Sequence, residues 1–151
     1  MNDNFEKSTS QECLDNLVAF LMPAMAAHDF EFTSGQNAYS SGGPFTNGFF
    51  VKKKARIGII YRNDKLGLIN YESTDAILSH DMLLNALKKT ALQKLYYNSE
   101  SSYSYGLADL TVEHAFLQDL QNIILPYFDL TTASEINALF VQAKSASMGH
   151  S

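Results

Sequence analysis

Six basic side chains crowd into residues 50–69 of this 151-residue chain, and they are the strongest candidates for holding an anionic ligand. They alternate with aromatic residues, and single-strand nucleic-acid binders combine a basic groove with rings on which bases stack. Lysines in hairpin turns also prevent edge-to-edge pairing of sheets, which explains the same residues without a ligand. The candidate anion-binding residues of this basic hairpin are Lys52, Lys53, Lys54, Arg56 and Arg62.

A second candidate site is the segment 96–106, which consists almost entirely of tyrosine, serine and asparagine. Tyrosine offers a large contact area at low entropy cost, and serine adapts its hydrogen bonds, so this composition is typical of binding surfaces. The alternative is an ordinary surface loop whose tyrosines pack back onto the helices. The candidate partner-binding residues are Tyr96, Tyr97, Tyr103 and Tyr105, together with the acidic residues Glu100, Asp109 and Glu113.

Residue types that catalyse reactions or hold metals are present, but they lack the spacing that such sites require. The four histidines are scattered, at His28, His80, His114 and His150. The one cysteine, Cys13, has no basic neighbour to lower its pKa, which favours a buried filler over a nucleophile. No nucleophile-elbow motif is present, although a triad assembled from distant residues would leave no local pattern. We therefore predict no catalytic residues, no metal and no cofactor.

The basic hairpin must be positioned by β-strands, because its flanks are rich in β-branched and aromatic residues. Runs at 49–51, 57–61 and 66–71 are separated by short polar breaks, which predicts three strands in an antiparallel meander. Gly58 and Gly67 lie inside these strands, where glycine often marks a bulge, a bend or the close approach of another backbone or a ligand.

The residues before the meander have features of both a strand and a loop. Phe30 and Phe32 alternate with acidic residues, which predicts a short additional strand. Residues 33–48 are rich in glycine and serine, and they are predicted as a loop, or as a loop interrupted by a brief strand around Tyr39.

Four helices complete the prediction. The first opens at a capping-box pattern that begins at Thr9, and a second is predicted for residues 79–96. Residues 109–127 carry the strongest helical pattern in the chain. A second capping box, Thr132 with Glu135, opens the last helix.

The order of these elements predicts an α+β fold: an N-terminal helix, a three- to four-stranded antiparallel β-meander, and then three helices packed on one sheet face. The length predicts a single domain over residues 9–144, with a flexible N-terminus at 1–8 and a flexible tail at 145–151.

The acidic start differs from a signal peptide, and no apolar run approaches the roughly 18 residues of a membrane helix. We therefore predict a cytoplasmic protein without membrane contact.

The net charge of −5 is unevenly distributed. Residues 50–69 carry a charge of +5, residues 1–49 and 95–151 each carry −5, and residues 70–94 balance. Acidic surfaces repel nucleic acid and speed the encounter with basic partners. The sequence pI of 5.2 also argues against a dedicated nucleic-acid binder, which has a broad basic footprint.

In size, acidity and absence of catalytic motifs, the chain looks like the bacterial immunity proteins and antitoxins that neutralise a toxin by covering its active site. This is a likeness of class rather than of sequence. It implies a non-enzymatic protein that binds a basic toxin domain, for example a nuclease.

Two alternatives stay open. One is a small-molecule-binding or enzymatic domain with a pocket between the open sheet face and residues 33–48, in which Arg56 and Arg62 hold an anionic group. The other is a nucleic-acid-binding accessory protein that uses the basic hairpin.

Overall fold

The chain has an α+β fold in a computed structural model, which describes residues 9–40, 43–87, 95–97, 103–105 and 112–148. The predicted order of an N-terminal helix, an antiparallel sheet and further helices is confirmed. The elements are α1 (Thr9–Ala27), β1 (Glu31–Ser40), β2 (Gly43–Lys52), β3 (Ala55–Arg62), β4 (Lys65–Glu72), β5 (Ile77–Ser79), α2 (His80–Ala86), β6 (Leu95–Tyr97), β7 (Tyr103–Tyr105), α3 (Val112–Asp119), a π-helical turn (Leu120–Ile124), α4 (Leu125–Leu130) and α5 (Ala133–Met148).

The first helix, α1, packs one apolar stripe against the sheet. The stripe repeats every three or four residues and consists of Leu14, Leu17, Leu21 and Met25. Pro23 lies inside the helix, which ends four residues later at Ala27. Asp29 then takes a left-handed φ of 66°, and this residue turns the chain into β1.

The main sheet has five antiparallel strands in the order β1-β2-β3-β4-β5, one or two more than the sequence predicts. The prediction of a loop over residues 33–48 is wrong, because β1 and β2 pair from Glu31 opposite Val51 to Ser40 opposite Gly43. The error has a physical cause. β1 is an edge strand whose residues 33–37 are all exposed, so its side chains are as polar as those of a loop.

The glycines inside the strands mark the predicted irregularities. Gly67 is the extra residue of a bulge, because Tyr61 pairs with Leu66 while Ile60 pairs with Leu68. At Gly58, a Cβ atom would lie 3.2 Å from the Phe49 ring. The predicted bulge is confirmed at Gly67, whereas the close neighbour of Gly58 is a side chain of the adjacent strand and not a backbone or a ligand.

The second helix is shorter than the sequence predicts. Ser79 is its N-cap as predicted, and the side chain of Ser79 accepts a hydrogen bond from the Met82 N–H at 3.2 Å. However, α2 ends at Ala86, and residues 95–97 form β6, which pairs with β7. The prediction of a helix that includes Tyr96 is therefore wrong, because pairing with residues 103–105 decides the conformation there.

A π-helical turn interrupts the long helix predicted for residues 109–127. The structure is helical from Val112 to Leu130, and the N–H of Leu125 donates to the carbonyl of Leu120, five residues earlier. Pro126 follows immediately, and in a regular α-helix its ring would clash with the carbonyl of Asn122. The wider π-helical turn therefore lets the helix continue through Pro126 without this clash. Residues 109–111 lie outside the described residues.

The last helix opens at the predicted capping box. The Thr132 N–H donates to Glu135 Oε1 at 3.0 Å, and the Glu135 N–H donates to Thr132 Oγ1 at 3.2 Å. α5 continues to Met148, so residues 145–148 of the predicted tail are helical. Residues 1–8 and 149–151 lie outside the described part of the chain.

The core lies between one sheet face and the helices. The sheet contributes Phe50, Ile57, Ile59, Tyr61, Ile69 and Tyr71, and the later helices contribute Phe116, Leu120, Ile124, Phe128, Ile136 and Phe140. The opposite sheet face carries half-buried apolar residues with charged neighbours, including Phe45, Phe49, Arg56 and Ile60. Within the described ranges, no helix has both the length and the apolarity needed to cross a membrane.

Substituting Gly48→Ala is expected to lower the free energy of unfolding by about 1–3 kcal/mol, because the new methyl group would overlap the Phe32 ring. Urea denaturation of the purified variants measures this loss. The loss should shrink in a Phe32→Leu background, where the smaller side chain leaves room. An equal loss in both backgrounds would assign the strain to the backbone instead of to the Phe32 contact.

Candidate functional site

Two lysines of the basic hairpin turn inward and bind helix α4. Lys53 Nζ donates to the carbonyls of Phe128 and Thr131 at 2.6 and 2.8 Å, and to that of Asp129 at 3.3 Å. These carbonyls belong to the end of α4, where a helix has unpaired acceptors and a partial negative charge. The ammonium group of Lys53 therefore caps a helix and is not presented to an external anion.

Lys52 ties the same region to the end of α1. Lys52 Nζ donates to the His28 carbonyl and to Asp129 Oδ1, both at 2.6 Å, and its side chain is only 9% exposed. The ring of His28 lies 2.5 Å from Asp129 Oδ2. Burial raises the pKa of Asp129, but hydrogen bonds from Lys52 and His28 outweigh this effect and hold it below its ordinary value.

The arginines of the basic hairpin lie over aromatic rings on the open sheet face. The Arg56 guanidinium lies 3.9 Å from the centre of the Phe49 ring, and Arg56 Nη2 donates to Glu72 Oε1 at 2.6 Å. The Arg62 guanidinium lies 5.2 Å from the Phe45 ring. Both rings thus carry a cation on the face that a nucleic-acid base would need for stacking. Lys54, by contrast, is exposed in the β2–β3 turn.

The pocket predicted between the sheet and residues 33–48 does not form as proposed. These residues belong to β1 and β2, so they extend the sheet instead of covering its face. The error follows directly from reading a polar edge strand as a loop.

A cavity of about 230 Å³ opens between α1, β3 and α3, and its lining combines a thiol, an amide, a phenol, a carboxylate and an imidazole. The residues that line it are Cys13, Asn16, Leu17, Phe20, Tyr61, Glu113 and His114. The Tyr61 hydroxyl donates to Glu113 Oε2 at 2.8 Å. Burial and the Glu113 carboxylate raise the pKa of Tyr61 far above its ordinary value, so the phenol remains a donor.

The thiol of Cys13 lies in an electronegative environment. Burial raises the pKa of Cys13, and so do the carboxylates of Asp64, Glu113 and Glu12. A thiol with a raised pKa is protonated at neutral pH and is a poor nucleophile. The cavity is therefore suited to binding a cation and unsuited to cysteine-based catalysis.

Tyr71, His80 and Asp119 form a buried hydrogen-bonded chain that sequence reasoning missed. His80 Nδ1 lies 2.7 Å from the Tyr71 hydroxyl, and His80 Nε2 lies 2.8 Å from Asp119 Oδ2. Burial raises the pKa of Asp119 although the hydrogen bond to His80 opposes this. The order of groups is that of a catalytic triad, but Tyr71 and His80 are 0% and Asp119 only 1% exposed. A substrate cannot reach these three side chains. Their hydrogen bonds join β4, α2 and α3 instead.

The predicted tyrosine-rich loop contains a small hairpin. β6 and β7 pair with Tyr97 opposite Tyr103 and Tyr96 opposite Ser104, while Tyr105 lies opposite Leu95. The backbone of β7 contacts α3 and β4, and that of β6 contacts α3. The hairpin therefore lies against the helix that carries Glu113. Glu100 and Asp109 lie outside the described residues.

No protein-family model, curated protein or solved structure matches the chain. Among the residues that the structure describes, no group of three or more histidine, cysteine, aspartate or glutamate side chains could hold a metal ion. A larger groove of about 570 Å³ between α2 and α5 is lined by apolar and amide side chains, including Met82, Asn85 and Leu139. The cavity at Glu113 differs from this groove in having a carboxylate, a histidine and a thiol among its lining residues.

Substituting Lys53→Met is expected to lower the free energy of unfolding by about 1–3 kcal/mol, because the α4 carbonyls lose a charged donor. Lys54→Met is a matched control, since both lysines have positive φ, 54° and 62°, and Lys54 is exposed. Thermal and urea denaturation should give a change of less than about 0.5 kcal/mol for the control. Equal losses for both variants would refute the capping role.

The Asp129 pair should stabilise the fold in a pH-dependent way. Since the folded-state pKa of Asp129 is lowered, its contribution is present above the unfolded-state pKa and is lost as pH falls through the folded-state value. Asp129→Asn should therefore cost about 1 kcal/mol near pH 5.5, a modest figure because Asp129 is 37% exposed. The difference from the unsubstituted protein should shrink in urea titrations as the pH is lowered through the folded-state pKa of Asp129. Asp64→Asn, in the exposed β3–β4 turn, is the control, and a cost for Asp129→Asn that does not change with pH would contradict the assignment.

Proposed function

We propose that the chain is a non-enzymatic protein-binding protein that neutralises a toxin by covering its active site, in the manner of bacterial immunity proteins and antitoxins. The observation that carries this proposal is the charge of the exposed surface. Lys52 and Lys53, two of the six basic residues in the segment 50–69, are bound to α4 and so add little to a basic patch. With Asp129 left out because it pairs with Lys52, exposed acidic side chains still outnumber exposed basic ones in the described chain: Glu12, Asp29, Glu31, Asp64, Asp75, Asp81 and Glu135 against Lys54, Arg56, Lys65 and Lys144.

A surface of this kind suits a basic partner. Enzymes that act on nucleic acid present basic surfaces to phosphates, and an acidic protein of this size can cover such a surface with complementary charge. A nuclease domain is therefore the toxin class that fits best. The tyrosine-rich hairpin, which lies against α3, would supply contact area at the centre of the interface.

The buried histidine and the thiol, which are residue types that enzymes use for catalysis, are poorly placed for it. The Tyr71–His80–Asp119 chain is closed to solvent, and the thiol of Cys13 is kept protonated by its surroundings. Both arrangements favour a binding role for the described part of the chain.

The protein, used as immobilised bait in a lysate of its source cells, should capture one protein at near-stoichiometric yield, more strongly at low than at high salt. The captured protein is identified by mass spectrometry and assayed for nuclease or other toxic activity. Loss of that activity at a one-to-one ratio with the bait supports the proposal. Retention of nucleic acid instead of a protein, with a steep loss of binding in salt, would contradict it.

The double variant Tyr103→Ala/Tyr105→Ala separates interface from scaffold. Capture should weaken by roughly tenfold or more while the melting temperature changes little, because interface anchors contribute to binding and not to folding. Ile77→Ala, which truncates a 50% exposed apolar residue in β5, is the control and should leave capture unchanged. A collapse of the melting temperature in the double variant would make these tyrosines core residues.

A further inference from the structure

The cavity between α1, β3 and α3 contains a carboxylate held in a fixed position. Glu113 lies in the first turn of α3, and the Tyr61 hydroxyl donates to its Oε2 at 2.8 Å. Tyr61 is itself only 2% exposed and cannot move away, so the carboxylate is orientated by a buried donor. A carboxylate fixed in this way binds a planar cation with little loss of side-chain entropy.

The ring of Phe20 lines the same cavity as this carboxylate. Phe20 is 37% exposed, and its ring packs edge-to-face against His114 with the two ring centres 4.8 Å apart. Among the four large apolar side chains that are exposed in the described chain, Phe20 is the aromatic one. Guanidinium groups stack on such rings while they donate hydrogen bonds in the plane.

The same protein already contains one guanidinium bound in this way. Arg56 lies 3.9 Å over the Phe49 ring and donates to Glu72 at 2.6 Å. The cavity offers the two matching acceptors, the Phe20 ring and the Glu113 carboxylate. Its chemistry therefore corresponds to the Arg56 site without the arginine.

The electrostatic field at the cavity also favours a cation. Glu12, Asp64 and Glu113 all act on Cys13, which lines the cavity, and they raise its pKa in addition to the effect of burial. Among the described lining residues, only His114 can carry a positive charge. A neutral or anionic ligand would gain nothing from this field.

We propose that this cavity receives an arginine side chain of the partner protein, whose guanidinium pairs with the Glu113 carboxylate and stacks on the Phe20 ring. The identity of the occupant rests on the proposed protein-binding function. Arginine suits the site better than lysine, because its planar fork matches a carboxylate and an aromatic face at the same time. A basic toxin that binds phosphate would present such arginines at its active site.

A small probe tests the cavity without the partner. N-acetyl-L-arginine methylamide is titrated into the isotopically labelled full-length protein, and backbone and side-chain shifts are followed by NMR. Binding in the millimolar range is expected, with shifts concentrated at Asn16, Phe20, Glu113 and His114. The matching citrulline probe, which has the same shape but no charge, should not bind at these concentrations. Equal shifts with both probes, or no shifts with either, would overturn the proposal.

Glu113→Gln is the decisive variant. Its amide oxygen can still accept from Tyr61, so the fold should persist, while arginine-probe binding should weaken by roughly tenfold. Glu31→Gln removes an exposed carboxylate from the sheet edge and should leave binding unchanged. Phe20→Leu gives an independent second measurement, since it removes the stacking surface from an exposed position and should also weaken binding. Unchanged affinity in both cavity variants would refute the site.

The partner assay separates this inference from the function on which it rests. If a partner is captured and Glu113→Gln weakens its capture as it weakens the probe, the occupant is supported. If a partner is captured equally by Glu113→Gln, the protein-binding function stands and the arginine site is overturned. If the probe binds but no partner is captured, the protein-binding function fails and the assignment to a partner's arginine fails with it.

Discussion

The attachment of the β2–β3 turn to the end of α4 is the interaction on which the arrangement of the other elements depends. Lys53 supplies a charged donor to carbonyls that would otherwise be unpaired, and Lys52 joins Asp129 to the carbonyl of His28 just after α1. One turn of the sheet thus holds the ends of two helices. Both lysines therefore have hydrogen-bonded partners inside the protein, while Lys54, Arg56 and Lys65 of the same basic stretch stay exposed.

This arrangement explains how a chain with a charge of +5 in one segment can present an acidic surface. Lys52 and Lys53 bind groups at the ends of helices, and Arg56 pairs with Glu72 on the neighbouring strand. Several carboxylates stay exposed and have no such structural task. The function that we propose follows from this asymmetry, since an acidic surface selects basic partners by attraction and excludes nucleic acid by repulsion.

The two groups of polar side chains inside the protein have opposite relations to solvent. The Tyr71–His80–Asp119 chain is sealed, so its hydrogen bonds hold β4, α2 and α3 together. The Tyr61–Glu113 pair has one buried member and one member at a cavity that opens to solvent. A buried donor that fixes an accessible carboxylate is a means of preparing a binding site in advance, because the cost of ordering is met during folding.

The sequence by itself determined the α+β class, the meander, the Ser79 and Thr132 caps and the bulge at Gly67, because each depends on periodicity or on contacts between near neighbours. Polar composition misled at residues 33–48, where pairing with β2 makes an edge strand. At Tyr96 the helical spacing of the preceding apolar residues misled, because pairing with β7 replaces a helix there. Glu113 was named from the sequence as a surface acid, but only the tertiary structure placed it beside Tyr61 and Phe20. The inward direction of Lys52 and Lys53 likewise depends on partners more than 20 residues away. Such partners are brought together by packing of the whole chain, and no local pattern records them.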